Sequence, residues 1–455
     1  MERFFPIFDP MKILHTADWH LGKRLENHSR HAEQVEVLAE ICAVADREAV
    51  DVVIIAGDLF DVFTPSSESI DLFYKTCKQL TNNGLRPVIA IAGNHDSPER
   101  IETPDPLARA CGIVFVGFPH SVVAPFMLPT GVGVSRSDAG FVEIQVPQYS
   151  YPLRLLLTPY ANEYRLRQNL GIENPEVSLR QILTAQWADL AEKYLINGPQ
   201  SLENALNSAK KSAESQASTP LLPTFNISNP KYTDGVNLGV AHLFVMKEGG
   251  TPPDEPEDER PIFVGGAGAV FSNCFPSALQ YVALGHLHRQ QVIATEPCPI
   301  VYCGSPLAYS FAEENQEKYV LVVDIEPNQA AEFRKITLTK TKKLLRNKFE
   351  DIDLAIEWMQ QFPDALIDLT IVSDTYIKND ELRRLKDAHA GLVRIFPEIK
   401  AKNAADTEGS PKIDIGGEMR DLFVDFFKYK SKGQEPNADI KALFEEILAE
   451  SDEAN

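Results

Sequence analysis

Residues 283–289 read ALGHLHR: an apolar run, a glycine, then two histidines one residue apart. In an extended segment alternate side chains point to the same side, so His286 and His288 converge while Leu287 turns away. Two convergent neutral imidazoles are a natural pair of metal ligands, whereas in a surface turn they would be solvated. Three further motifs sit where β-rich runs end. TADWH supplies Asp18 and His20, AGDLFD supplies Asp58 and Asp61, and AGNHD supplies Asn94, His95 and Asp96. His242 in GVAHLF is a lone histidine in an apolar run, which more often marks a core residue. Gly-Asp and Gly-Asn are common turn dipeptides. A succession of strand-end motifs, each carrying Asp, His or Asn, is not explained by turns.

Asp18, His20, Asp58, Asn94, His242, His286 and His288 are oxygen and nitrogen donors, with no sulfur among them. One ion does not need so many protein ligands of this mix; two ions sharing a carboxylate do. Paired divalent ions about 3.5–4 Å apart are the usual device for phosphoester hydrolysis, because they polarise the phosphoryl group and neutralise developing charge. Mixed carboxylate and imidazole ligation favours Mn²⁺, Fe²⁺ or Zn²⁺ over Mg²⁺ or Ca²⁺. GHLH then supplies one ligand to each ion.

These groups are far apart in the chain, so a scaffold must gather them. KILHTA, VVIIAG (52–57), PVIAIAG (87–93) and IVFVG (113–117) read as strands buried on both faces. Helical patterns at 31–49 and 69–84 separate the first three, which predicts an α/β domain with a largely parallel sheet. Sites in such sheets form beyond the strand C-termini, where all these motifs fall. A second set of strands is expected at 154–160, 237–245, 280–287, 299–304 and 319–325, with a helix over QILTAQWADLAEKYL (181–195). A Ser/Asn/Pro-rich insertion near 208–235 and the loop TPPDEPEDERP carry no element. The composition changes after about residue 338. A smaller α/β unit (339–402) follows, then a linker (403–416) and two amphipathic helical segments within 417–450. MERFFPIFDP precedes the first strand and is expected to be dispensable, with the fold beginning at Met11.

The chain has 455 residues and a net charge of −21, which argues against a protein that coats nucleic acid with its whole surface. A polyanion would have to approach through bound cations or a local patch such as RKITLTKTKKLLRNK (334–348). No apolar run is long enough to cross a membrane and no signal peptide is visible. Six scattered cysteines without a CxxC pair fit free thiols, and a cytoplasmic location is expected.

DxH, GD, GNHD, a lone late His and GHLH, in this order, resemble the calcineurin-like metallophosphoesterase superfamily. ILHTADWHLG, AGDLFD, AGNHDSPER, GHLHR and YCGSPLAYSFAEE resemble, more closely, the SbcD family of bacterial SbcCD nucleases, over essentially Met11 to the C-terminal helices. The resemblance implies a two-sheet αββα sandwich with a small α/β capping domain and a C-terminal helical pair. It also implies two Mn²⁺ ions, and cleavage of DNA phosphodiesters in repair, recombination and replication, as a double-strand exonuclease and a single-strand or hairpin endonuclease. The partner it implies is an SbcC-like, SMC-type ATPase bound through the C-terminal helices, in a heterotetramer containing two copies of this chain. Asp18, His20 and His288 would then hold one ion, and Asn94, His242 and His286 the other, with Asp58 bridging. His95 would stabilise charge and help protonate the leaving 3′ oxygen, oriented by Asp96. Asp61 departs from archaeal and eukaryotic relatives, which tend to carry His there, and it is left without a role.

Two other readings are distinguishable. A small-molecule phosphodiesterase with the same metal core would not need the basic run, the extra α/β unit or the paired helices beyond Ile325. A non-catalytic DNA tether would not need the full ligand set and His95.

Overall fold

The computed structural model describes residues 10–167, 175–196, 235–253, 269–373 and 377–399, together with Phe423, Val424, Phe427, Pro436 and Phe444. The N-terminal extension up to residue 9 and the insertion up to residue 234 lie outside the described residues, as does most of the acidic loop.

Runs such as VVII and VIAI are β-branched and wholly apolar, so they suit strands covered on both faces. They form a six-stranded sheet in the order Glu332–Thr337, Tyr319–Ile325, Met11–Thr16, Val52–Ile55, Val88–Ile91, Ile113–Val116. The last four run parallel, and the first two join antiparallel at the Met11–Thr16 edge. An eight-stranded mixed sheet lies against it, with Leu153–Thr158, Val236–His242, Tyr281–Gly285 and Ile300–Tyr302 as its parallel centre. One core fills the space between the sheets, where Ile13, Ile54 and Ile89 meet Leu155, Leu238 and Ala283. A second lies under helices His31–Arg47 and Ser67–Leu80, and a third under helix Pro175–Leu190. That is the four-layer αββα order, and each fully buried aliphatic side chain contributes about 1.5–3 kcal/mol to it.

Two features were not expected. Three antiparallel strands, Phe126–Met127, Gly133–Asp138 and Phe141–Gln145, extend the second sheet where the motif pattern placed nothing. The last two are joined by a tight turn at Gly140, whose φ of 77 suits glycine. Helix Ser67–Leu80 begins two residues before the expected Ser69, because the Ser66 hydroxyl accepts from Ser69 N–H at 3.2 Å and caps it.

The chain divides into two compact units, residues 1–371 with 377–397, and residues 372–376 with 398–455. The first therefore contains most of the small α/β element, a three-stranded sheet (Leu344–Phe349, Leu366–Ser373, Leu392–Ile399) with helices Ile352–Gln360 and Asn379–Ala388. Leu344 and Leu366 pack with Leu25, Ala308 and Phe311 of the sandwich. The strap before Leu344 is tied to helix His31–Arg47, because Glu40 accepts from Thr339 and Lys340 N–H and Glu33 accepts from Lys342 N–H. In the second unit the Phe423 and Phe444 rings stack at 3.9 Å. All six cysteines are free, and no described helix is long and apolar enough to cross a membrane.

His15, on the first strand, ties the sheets together. Its Nε2–H donates to the Leu284 carbonyl at 3.2 Å, and its Nδ1 accepts from the Tyr281 hydroxyl at 3.1 Å. Burial lowers its pKa from 6.5 to about 3, against a smaller opposing effect of the Leu284 carbonyl. Between those values the unfolded chain binds a proton that the folded chain refuses. Stability should therefore fall with decreasing pH across this window, by about 1.4 kcal/mol per pH unit from this residue. Urea unfolding in EDTA from pH 7 to 4 should show a shallower acid loss for His15→Gln than for the parent. Parallel profiles would place the loss elsewhere.

Candidate metal centre

The first two motif loops are zipped together beyond their strands. Asp18 N–H donates to Gly57 O at 2.9 Å, His20 N–H to Asp58 O at 3.0 Å and Leu21 N–H to Leu59 O at 3.1 Å. These bonds hold Asp18, His20 and Asp58 at φ of 54, 42 and 48, respectively, and His286 stands at φ 112. Left-handed conformations at non-glycine residues cost on the order of 1–3 kcal/mol each and persist where surroundings enforce them.

All seven candidate ligands converge, and all but Asn94 are buried. Candidate donor atoms of Asp18, His20 and His288 lie within 4.8 Å of one another, as do those of Asp58, His242 and His286. His20 Nε2 is 3.0 Å from His288 Nε2, while His242 Nε2 and His286 Nδ1 lie 3.0 and 2.9 Å from Asn94 Oδ1. Asp58 Oδ2 stands 3.4 Å from both His20 Nε2 and His242 Nε2, between the two groups. His286 and His288 do reach one ligand group each, but by a different route from the extended one expected. The strand ends at Gly285, and the turn at His286 sends Leu287 into the outer core.

The donor chemistry fits divalent cations. His242 Nδ1–H donates to the Ala56 carbonyl at 2.8 Å, so Nε2, which faces the Asn94 oxygen at 3.0 Å, carries either a proton or a metal cation toward it. His286 Nε2 is buried with no hydrogen-bond partner among the described residues. Burial alone would lower His242, yet the Asp58 and Asp18 carboxylates raise it to about 9. Asp18 is itself raised to about 7, chiefly by burial. Glycine keeps the cradle open: a Cβ on Gly93 would stand 2.1 Å from Asp58 Oδ1, and one on Gly57 2.2 Å from His242 Nδ1.

His95 lies at the rim, half-buried, its ring edge-on to His20 at 4.8 Å. Its Nδ1–H donates to the Asp61 carbonyl at 2.8 Å, leaving Nε2 bare. The expectation that Asp96 orients His95 needs correction. Asp96 is fully buried, and its carboxylate accepts from Leu59, Phe60 and Gly93 N–H at 3.0, 2.9 and 2.7 Å. It braces the backbone of two motif loops; the Asp61 carbonyl takes the place expected of it.

Sequence reasoning missed three buried clamps, each on a different motif loop. Gln34 donates to the His20 carbonyl at 2.9 Å and accepts from Gly22 N–H at 3.1 Å. Arg165 donates to the carbonyls of Gly93 and Asp96, each at 2.7 Å. Lys318 donates to the His288 carbonyl and the Ser305 hydroxyl, each at 3.0 Å, and pairs with buried Glu313. Nothing in the local pattern marks Gln34, Arg165 or Lys318. Ser305 and Glu313 fall inside YCGSPLAYSFAEE, which gave a signal only as a resemblance.

A two-sheet sandwich carrying this centre at its strand ends defines a calcineurin-like metallophosphoesterase that uses divalent metal ions, and residues 11–128 match the calcineurin-like phosphoesterase family. Over its length the chain is similar to the SbcD component of the SbcCD nuclease of Bacillus subtilis (strain 168), 32% identical over 443 residues, which cover 96% of this chain and 98% of that one. The corresponding SbcD chain of Escherichia coli (strain K12) is 29% identical, over 81% of this chain and 79% of that one. That of Staphylococcus epidermidis is 29% identical, over 75% and 74%. The chain belongs to the SbcD family of nucleases.

Proposed function

We propose that this chain is the metal-dependent nuclease component of an SbcCD-type complex, hydrolysing DNA phosphodiester bonds as a double-strand exonuclease and a single-strand or hairpin endonuclease. The observation that carries this reading is the paired ligand groups sharing Asp58, with His95 at the rim. Asp18, His20 and His288 would hold one ion and Asn94, His242 and His286 the other, most fittingly Mn²⁺ given the imidazole and carboxylate donors. Bound there, the ions would polarise the phosphodiester and activate the attacking water. With Nδ1–H held by the Asp61 carbonyl, His95 first takes up a proton at its free Nε2; as the imidazolium it stabilises developing charge and delivers that proton to the leaving 3′ oxygen. Asp96 and Arg165 keep its loop in register by holding the backbone on both sides.

The partner proposed is an SbcC-like ATPase, taken up by the apolar faces of the C-terminal segments in a helix-in-groove mode. Two copies of each chain would form the complex, in the cytoplasm. The test is digestion of linear duplex and hairpin DNA with Mn²⁺, with and without the ATPase and ATP. Turnover of bis-p-nitrophenyl phosphate without DNA cleavage in any arm would favour a small-molecule phosphodiesterase.

DNA contact is proposed for the strap after strand Glu332–Thr337. Arg334 is engaged by Asp324 and Glu48, and Arg346 by Asp368. Lys340, Lys342 and Lys343 are exposed on backbone that is tethered at 339, 340 and 342. Reversing all three to Glu should weaken binding of every DNA sequence and reduce the salt slope by about one per lysine. Hydrolysis of the small phosphodiester should persist. An unchanged salt slope would remove the strap from the interface.

A further inference from the structure

Asp61 lies three residues beyond Asp58, and its own motif gives it no task. In the fold it ends the zipper between the first two loops, with its N–H donating to the Leu21 carbonyl at 3.2 Å. Its carboxylate faces His20, with Oδ1 3.4 Å from His20 Nδ1 and 3.1 Å from Lys23 Nζ. His20 is 1% exposed and its Nδ1 makes no hydrogen bond among the described residues, so the Asp61 oxygen at 3.4 Å is the acceptor that a buried Nδ1–H would face. The other side of the same residue holds a second ring, since the Asp61 carbonyl accepts from His95 Nδ1–H. Carboxylates and carbonyls only accept, so both contacts keep the proton on Nδ1 and leave Nε2 bare. His20 Nε2 is the atom that faces His288 and Asp58.

We infer that Asp61 is a positioning residue for cleavage, setting the tautomer and direction of His20 through its carboxylate and of His95 through its carbonyl. This rests on the reading of His20 as a ligand and His95 as the proton donor. It gives the residue a task away from the phosphate, that of turning two neighbouring rings. Lys23 holds the carboxylate from the solvent side, and the Lys23–Asp61 pair closes the rim of the centre next to Tyr309, whose ring lies 5.3 Å from that of His20.

The test compares Asp61→Ala and Asp61→Asn, with His20→Ala as reference, by Mn²⁺ titration followed through the free-ion EPR signal and by DNA cleavage across Mn²⁺ concentrations. Asp61→Ala should raise the half-saturating Mn²⁺ concentration about 10–100-fold, the usual cost of losing a carboxylate behind a ligating histidine. The maximal rate at saturating Mn²⁺ should fall far less, because the carbonyl that holds His95 survives. Asp61→Asn, whose amide oxygen still accepts from His20, should restore most of the lost affinity. Parental affinity in Asp61→Ala alongside metal loss in His20→Ala overturns the inference. So does an Asp61→Asn variant as weak as Asp61→Ala, which would mean that charge and not orientation matters. Loss of a single bound ion with parental affinity for the rest would make Asp61 a ligand and also overturn it. If His20→Ala itself binds Mn²⁺ as the parent does, the ligand reading has failed independently. Melting in EDTA checks folding, and Asp61→Ser, too short to reach His20, carries the same expectation should Asp61→Ala not fold.

Discussion

His95→Ala is expected to keep its metal ions and lose cleavage by about 10²–10⁴-fold, the usual contribution of a positioned proton donor. The division follows from where the ring sits. His95 is half-buried at the rim, while the atoms of the two ligand groups cluster beneath it. Its contribution to the buried layer is made by backbone, because His95 N–H donates to Asp58 Oδ1 at 2.9 Å. Alanine retains that bond, so the shared carboxylate stays oriented. Metal analysis of the purified variant, beside its rate on duplex DNA, decides the matter. A metal-free His95→Ala protein would show that the ring is a ligand and that the proton donor lies elsewhere.

Asp58→Ala should lose metal, and with it activity. Asp58 is 2% exposed and has Oδ2 equidistant from His20 Nε2 and His242 Nε2. Burial alone would raise its pKa, but His242 and His20 hold the carboxyl well below the usual range, so it is an anion facing both groups. Removing it takes charge from both ion positions at once and leaves His242 without its main counter-charge. The stabilisation that Mn²⁺ gives the folded protein, which grows as RT ln(1 + [Mn²⁺]/Kd), should then vanish from thermal melts. Gly93→Ala offers an independent route to the same outcome with every ligand in place. Its Cβ would fall 2.1 Å from Asp58 Oδ1 and 2.2 Å from Asp58 N, so the carboxylate must move. A Gly93→Ala protein with parental metal content would show that the loop yields more easily than the packing implies.

Much of the chemistry was determined by the sequence alone. Each motif closes a mostly apolar run, and such runs are best used as strands covered on both faces. Strand ends of a parallel sheet all open on the same edge, so Asp18, Asp58 and Asn94 had to meet whatever the details of packing. The lone His242 could not be separated from a core histidine by its own surroundings. Only the pairing of strand Val236–His242 beside Tyr281–Gly285 brings it to the GHLH turn. The tertiary structure likewise decided everything that depends on a contact between distant segments. Asp96 reads as a neighbour of His95, yet its carboxylate points inward because three backbone N–H groups of two loops need an acceptor there. Gln34, Arg165 and Lys318 look like ordinary surface residues in the sequence. They are buried because loop carbonyls beyond the strand ends have no ladder to join, and an unpaired buried carbonyl is costly. Local pattern records which side chains can do chemistry; which groups hold them still is settled by long-range hydrogen bonding that leaves no local mark.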